Sequence, residues 1–498
     1  MAVKISAGKK KALDVTCDAA AFFFEKDFDN KVLKDLETVV PNLKNIIKAK
    51  KFHGSLSTVI LVPTATGNQT FVALVGLGEK KAGKINIENL RRGIGSLVRL
   101  CDTNSIENLS IELPEASLFK VEESYLAKQV ASILVMANYK FDKFLTHKNA
   151  KEKQLSVVVS SSGAKVKQGL EDGAMIGECV NDARQLVDSP PNVLRPETFA
   201  KEAEDIAKKH GLKIKVFGEK EIQKMGMGGL AAVSSGSAED CKFIILEYKC
   251  KNKNAPHLAF VGKGITFDSG GLSLKPAEYM ETMKEDMSGA AAVLASMKAI
   301  AQLKPEVNIT GFMPLSENTP SGESDKPGDI ITFYNGKTAE IINTDAEGRL
   351  ILADALSYAE KNYKLDAIID IATLTGACEY ALGPFFSGLF SEDENLINKI
   401  KEAAELSGDY VWRLPLTDDY KVANKCAVAD LSNCGSKTYK CGATTAASFL
   451  QNFVEKTPWV HLDIAGTAFG VPDLSYFRPS SATGVGTRLL LELALNWK

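Results

Sequence analysis

Histidine is scarce in this chain, and its cysteines form no pair motif. Five histidines are spread over 498 residues. No His-Glu-x-x-His exists and none of the five shows ligand spacing, which argues against a histidine-based zinc site. Nine scattered cysteines with no C-x-x-C pair suit free thiols in a reducing cytosol. No Gly-x-Ser-x-Gly elbow occurs, which weakens a serine-hydrolase reading. No apolar run is long enough to span a bilayer. The basic stretch Met1 to Lys11 is followed by no apolar h-region, so no secretory signal is expected. An excess of one charge is also lacking. Lys and Arg total 60 against 62 Asp and Glu, a net charge of −2. That balance gives no support to a dedicated nucleic-acid binder.

What is present is ordinary globular material. Apolar residues make up 45% and charged residues 24% of a length that suits two domains. Residues 1–165 read as a smaller N-terminal α/β domain. Ser57 to Val62 and Thr70 to Leu77 are predicted as paired strands, while Asn86 to Leu100 and Glu122 to Ala137 carry helical spacing. His53 and His147 are lone histidines with no ligand partners in the pattern. Residues 166–195 read as a linker helix running into Asp188-Ser189-Pro190-Pro191-Asn192, where two prolines stop it. Residues 196–498 form the larger domain. Pro196 to His210 is a predicted helix, and Leu212 to Phe217 and Phe243 to Tyr248 are predicted strands. The strand candidates His257 to Val261, Val307 to Met313, Ala367 to Ala372 and Trp459 to Ile464 follow. They alternate with helical patterns at Ala290 to Ile300, Leu350 to Tyr363, Glu394 to Leu406, Thr444 to Phe453 and Thr487 to Leu495. That alternation predicts an α/β fold with a central, mostly parallel sheet flanked by helices. Functional groups then belong at the carboxyl ends of the strands.

Three segments concentrate charge at such ends. Gly262 to Pro276 begins as a strand stops and carries Lys263, Asp268 and Lys275. It is not a P-loop, because His257 stands where the first glycine is required. It is not a dinucleotide fingerprint either, because Phe267 replaces a glycine. Glu285 to Gly289 brings Asp286 to the start of a helix. Asn343 to Leu350 puts Asp345, Glu347 and Arg349 in one strand-to-helix turn. Thr344-x-x-Glu347 also reads as a capping box, an ordinary helix start. Taken together, Asp268, Asp286, Asp345 and Glu347 would repel one another unless cations lay between them. Two divalent ions are the simplest answer, in the manner of dimetal hydrolases whose ions lie roughly 3.5–4 Å apart. Spacing alone leaves a dimetal phosphoesterase as open as a peptidase.

Gly262 to Pro276 and Asn343 to Leu350, in this order and separation, resemble the two signature segments of the leucyl aminopeptidase family, the dizinc cytosolic aminopeptidases. Asn181-Asp182-Ala183-Arg184 with Pro190-Pro191-Asn192 resembles the family's interdomain region. The similarity covers residues 180–498 and is weaker before them. It implies a metal-dependent aminopeptidase that releases N-terminal leucine and similar apolar residues from peptides. It further implies that Asp268 and Glu347 bridge two Zn²⁺ or Mn²⁺ ions. Lys263 and Asp286 would complete one site and Asp345 the other. Lys275 would stabilise the oxyanion, and Arg349 would hold a bicarbonate general base. Met283, Thr373, Gly376, Ala465 and Ala468 would line the side-chain pocket. A cytoplasmic homohexamer is implied as well. Because some family members bind DNA, an architectural DNA-binding role that retains the peptidase fold is the alternative.

Overall fold

A computed structural model describes residues 3–29, 33–146, 154–161 and 163–497, so His147 lies outside the described residues. The chain divides into two compact units, Met1–Asn181 with Pro472–Pro479 and Asp182–Val471 with Ser480–Lys498.

The first unit holds a six-stranded sheet. Its strands are β1 (Val3–Gly8), β2 (Cys17–Glu25), β3 (Val59–Pro63), β4 (Gln69–Gly78), β5 (Asn108–Glu112) and β6 (Leu155–Ser160). Their spatial order is β1-β6-β5-β2-β4-β3. All pairs are parallel except β3–β4, the pair predicted from Pro63 and the polar turn after it. Helix α1 (Ile87–Thr103) starts at Asn86, whose side chain accepts from the Glu88 amide. Leu90, Ile94, Leu97, Val98 and Cys101 recur at helical spacing on its buried face. Helix α2 (Glu123–Asn138) packs along α1.

Pro472–Pro479 belongs to this unit although it lies near the other end of the chain. The Tyr476 hydroxyl donates to Glu88 Oε1 at 2.9 Å, and Arg99 donates to the Ser475 carbonyl. A Cβ on Gly95 of α1 would lie 2.6 Å from the Tyr476 amide nitrogen, so only glycine admits the segment.

Helix α3 (Ala164–Asp188) and α4 (Pro196–His210) follow, then β7 (Lys213–Gly218), β8 (Lys242–Tyr248), β9 (His257–Gly262) and β10 (Gly264–Asp268). Next come α5 (Ser288–Leu303), β11 (Asn308–Asn318), β12 (Ile330–Thr332), β13 (Thr338–Glu340), α6 (Gly348–Asn362) and β14 (Ala367–Ala372). The chain ends with α7 (Gly376–Leu382), β15 (Ser387–Phe390), α8 (Glu394–Ser407), β16 (Val411–Arg413), β17 (Leu431–Ser432), α9 (Gly442–Gln451), β18 (Trp459–Asp463) and α10 (Thr487–Leu495). The second unit's nine-stranded sheet runs β16-β15-β18-β14-β9-β11-β8-β7, with β10 added beside β11. Its centre, β18-β14-β9-β11, is parallel as expected. The margins are not uniformly so: β8 runs antiparallel to both β11 and β7, and β15 runs antiparallel to β18.

The central strands are buried on both faces. Every residue of β14 is buried, which is why it reads as a continuous apolar run. Ala259 and Val261 of β9 join a core cluster with Leu350 to Ala353 of α6. Strand alternation turns Leu258 and Phe260 to the opposite face, where α5 lies. The glycines at the end of β9 serve this layering. A Cβ on Gly289 at the start of α5 would sit 2.1 Å from the Ile371 carbonyl oxygen, and one on Gly262 would sit 2.5 Å from that of Gly289. Helix and strands touch backbone to backbone there. Gly289→Ala is therefore expected to lower unfolding free energy by about 1–3 kcal/mol, the usual result of overpacking. An unchanged denaturant midpoint would contradict this account of the contact.

Candidate active site

Four backbone segments deliver charge to one place. Lys263 occupies the single residue between β9 and β10, and Asp268 is the last residue of β10. Asp286 lies in the tight 3-10 turn Met283–Met287 that leads into α5. Asp345 and Glu347 sit in the connection from β13 to α6. Lys263 and Asp268 lie at the carboxyl ends of β9 and β10, strands parallel to β11, the position an open α/β sheet offers for chemistry, while Asp345 and Glu347 follow β13 of a separate three-stranded sheet. A cleft of about 470 Å³ opens over them.

The central group is the Lys263 ammonium, with only 3% of the residue exposed. It donates to Asp286 Oδ1 at 2.7 Å and to the Thr373 carbonyl at 2.9 Å, and it lies 2.8 Å from Glu347 Oε1. A Cβ on Gly348 would meet the Lys263 side chain at 2.5 Å, so glycine at the first residue of α6 leaves room for the lysine. A second ammonium, Lys275, lies 2.8 Å from Asp268 Oδ2 and also contacts Asp345 Oδ1.

The carboxylates are held by further donors. Asp268 Oδ1 accepts from the Gly270 amide and from Asn318 Nδ2, each at 2.9 Å. Asn318 also donates to the Thr344 carbonyl, tying the two signature loops together. Thr373 Oγ1 donates to Asp286 Oδ1 at 2.8 Å. Arg349 Nη1 donates to the Asn433 carbonyl at 2.6 Å, while Asn433 Nδ2 donates to the Asn343 carbonyl.

The capping-box reading of Thr344 and Glu347 does not survive. Glu347 is itself the N-cap residue of α6, and no side chain caps that helix. The Thr344 hydroxyl instead donates to the Gly270 carbonyl at 2.7 Å and accepts from the Ser273 amide at 2.8 Å. Glu347 turns its carboxylate to Lys263 rather than back along its own chain.

Burial sets the protonation of the cluster. It pushes Asp268 up to about 7, with the neighbouring Glu347 adding to it, and pushes Asp286 well above the usual carboxylate range. Asp345 is raised as well, first by burial and then by Glu347. Glu347 goes the other way: burial opposes its charge, but Lys263 and Lys275 together hold it below the ordinary value. Burial disfavours both ammoniums, yet the carboxylates outweigh it and raise both lysines, Asp286 leading at Lys263 and Asp268 at Lys275.

These groups suit divalent cations. Donor atoms of Asp268, Asp286 and Glu347 all lie within 4.8 Å of one another. Asp286 Oδ2 and Glu347 Oε2 are buried with no hydrogen-bond partner, a costly state that an ion between them relieves.

Of the residues expected at the site, Lys263, Asp268, Lys275, Asp286, Asp345, Glu347 and Arg349 all line the cleft. Met283, Thr373, Gly376 and Ala465 line it too. Ala468 is not in its wall; it is 1% exposed, and its carbonyl accepts from the Thr483 amide. Sequence reasoning missed Asn318 and Asn433, both fully buried polar side chains. Only Asn318 left a trace, as an amide closing an apolar central strand.

The cytosol aminopeptidase family model for the catalytic domain matches residues 181–491, and its N-terminal domain model matches residues 22–148. A probable cytosol aminopeptidase of Persephonella marina is 40% identical over all of both chains. That of Aquifex aeolicus is 42% identical over 95% of this chain and 94% of its own. Among solved structures, a mutant of tomato leucine aminopeptidase is similar with a TM-score of 0.89 and 31% identity, over 99% of this chain and 96% of that one. A bottromycin maturation enzyme in complex with Mn is similar with a TM-score of 0.85 and 32% identity, over 96% of this chain and 99% of that one.

Proposed function

The chain belongs to the cytosol aminopeptidase family and is an aminopeptidase of the leucyl type; on that premise we propose that it cleaves N-terminal leucine and similar apolar residues from peptides with two divalent metal ions, Zn²⁺ or Mn²⁺. The observation that carries this reading is the convergence of Lys263, Asp268, Asp286 and Glu347 with unpaired carboxylate oxygens in one cleft. The Mn complex of the bottromycin maturation enzyme adds support.

Asp268 and Glu347 would be shared between the two ions, Lys263 and Asp286 would complete one site, and Asp345 the other. The ions would supply Lewis-acid polarisation of the scissile carbonyl and a water acidic enough to attack near neutral pH. The chain's own groups do the rest. Asp286 accepts a hydrogen bond from the free α-amine, which limits cleavage to N-termini. Lys275, charged and at the rim of the carboxylates, donates to the oxyanion as it forms. Arg349 Nε is buried without a hydrogen-bond partner and would hold a bicarbonate, which would serve as general base. Met283, Thr373, Gly376 and Ala465 receive the N-terminal side chain. Family resemblance implies a cytoplasmic homohexamer, and nine free cysteines suit a reducing compartment.

Removing metal with a chelator is expected to abolish hydrolysis of leucine amide, and Zn²⁺ or Mn²⁺ to restore it. Full activity in metal-free protein would rule the two-metal reading out. Lys275→Ala and Arg349→Ala should each lower kcat more than they raise KM, for Lys275→Ala by about 100- to 1,000-fold, as for other oxyanion donors. A change in KM alone would remove the assigned roles. Metal affinity should also depend on pH. Asp268, held at about 7, must lose its proton to bind an ion, and so must the raised Lys263. Affinity measured by calorimetry should therefore weaken as pH falls through 7, by up to about tenfold per unit for each proton displaced. Equal affinity at pH 6 and pH 8 would show that these groups are not the ligands.

A further inference from the structure

We propose that Glu285 gives the side-chain pocket a charged end, so that peptides beginning with arginine or lysine are substrates alongside those beginning with apolar residues. The inference rests on the aminopeptidase reading above and specifies its substrate class.

Glu285 lines the same cleft as Met283, Gly376 and Ala465. Its Oε1 accepts from Thr282 Oγ1 at 3.1 Å, but its Oε2 is buried and has no hydrogen-bond partner. No described cation forms an ion pair with it. The nearby Lys284 is turned away, donating to the Asp188 carbonyl at 2.8 Å and lying over the Phe469 ring. A buried carboxylate oxygen without a donor, on a side chain that lines the cleft, is costly unless a ligand supplies one.

The position is fixed from its backbone outward. The Glu285 amide donates to the Thr282 carbonyl, and the Ser288 hydroxyl donates to the Glu285 carbonyl at 2.6 Å. The carboxylate is thus held on a rigid turn one residue before Asp286. Glu379 of α7 lines the same cleft and repels Glu285. Its Cγ would stand 3.3 Å from a Cβ on Gly466, which places the side chain beside the Ala465 wall. Two carboxylates that form no ion pair among the described residues therefore lie in the same cleft as the apolar Met283 and Ala465. A lysine or arginine suits that combination. Its methylene stem lies along Met283 and Ala465, and its charged head reaches Glu285. A guanidinium or ammonium there makes a charge-assisted hydrogen bond in a partly dry site.

The test uses the full-length, metal-loaded protein and compares kcat/KM for arginyl and leucyl amides. In Glu285→Gln the ratio of arginyl to leucyl kcat/KM should fall by roughly 10- to 100-fold, as expected for loss of a hydrogen-bonded charge pair. Glu379→Gln should lower the ratio in the same direction by less. Free arginine should also inhibit leucine amide hydrolysis by the unaltered protein competitively, and less so as salt is raised. This measurement holds even if a variant fails to fold. An unchanged ratio in Glu285→Gln, or no inhibition by arginine, would overturn the charged pocket while leaving the peptidase intact. Failure of the metal-loaded protein to hydrolyse either amide would instead overturn the peptidase reading, and this one with it.

Discussion

Four carboxylates and two ammoniums share one cleft, most of them buried, and the rest of the second unit is arranged to hold them there. Left in water these groups would scatter. Inside the protein each one needs a fixed partner, because an unpaired buried charge is strongly destabilising. Lys263 meets that need for Asp286 and Glu347, and Lys275 for Asp268 and Asp345. The match is incomplete, with more negative groups than positive ones. Burial first, and the neighbouring carboxylates after it, raise Asp268 and Asp286 above the usual carboxylate range, and Asp286 Oδ2 and Glu347 Oε2 find no donor. A cluster poised in this way is one that dications complete.

Holding it requires backbone in unusual proximity. The start of α5 presses against the ends of β9 and β14, and Gly262 and Gly289 are the residues that permit it. Asp286, one turn ahead of that helix, then lies at its positive end as well as beside Lys263. Gly270, at a φ of +89°, lets the signature loop fold back so that its amide reaches Asp268 and Lys275 returns to the cluster. The layered sheet and the chemistry are thus consequences of the same few close contacts.

Much of this was legible in the amino-acid order. Pro196 to His210, Ala367 to Ala372 and Thr487 to Leu495 have their predicted bounds, since each pairs strong periodicity with a clear stop. In the first unit, β1, β2, β5 and β6 escaped notice. The Phe and Ala run of β2 lacks a two-residue polar alternation, and β5 is short and half-polar. At the site, charged residues clustered beyond strands could be seen, whereas their convergence came from sheet order, which no local pattern encodes. Lys263 as a buried group at the centre of four carboxylates was readable only through family resemblance. Asn433 was invisible, and Asn318 left only its place at the end of an apolar strand, because a buried amide looks like a surface one until its partners are known. The mixed margins of the sheet were hidden for a related reason, as a strand's direction depends on its connection rather than its composition.

The return of Pro472–Pro479 into the first unit bears on how the protein is made. Tyr476 and Ser475 pack on α1 at Glu88, Gly95 and Arg99. On the ribosome, the leading unit therefore emerges first yet stays unfinished until residue 479 has been synthesised. Its sheet can form early, but its last piece arrives only after the catalytic strands β9, β11, β14 and β18 have all left the tunnel.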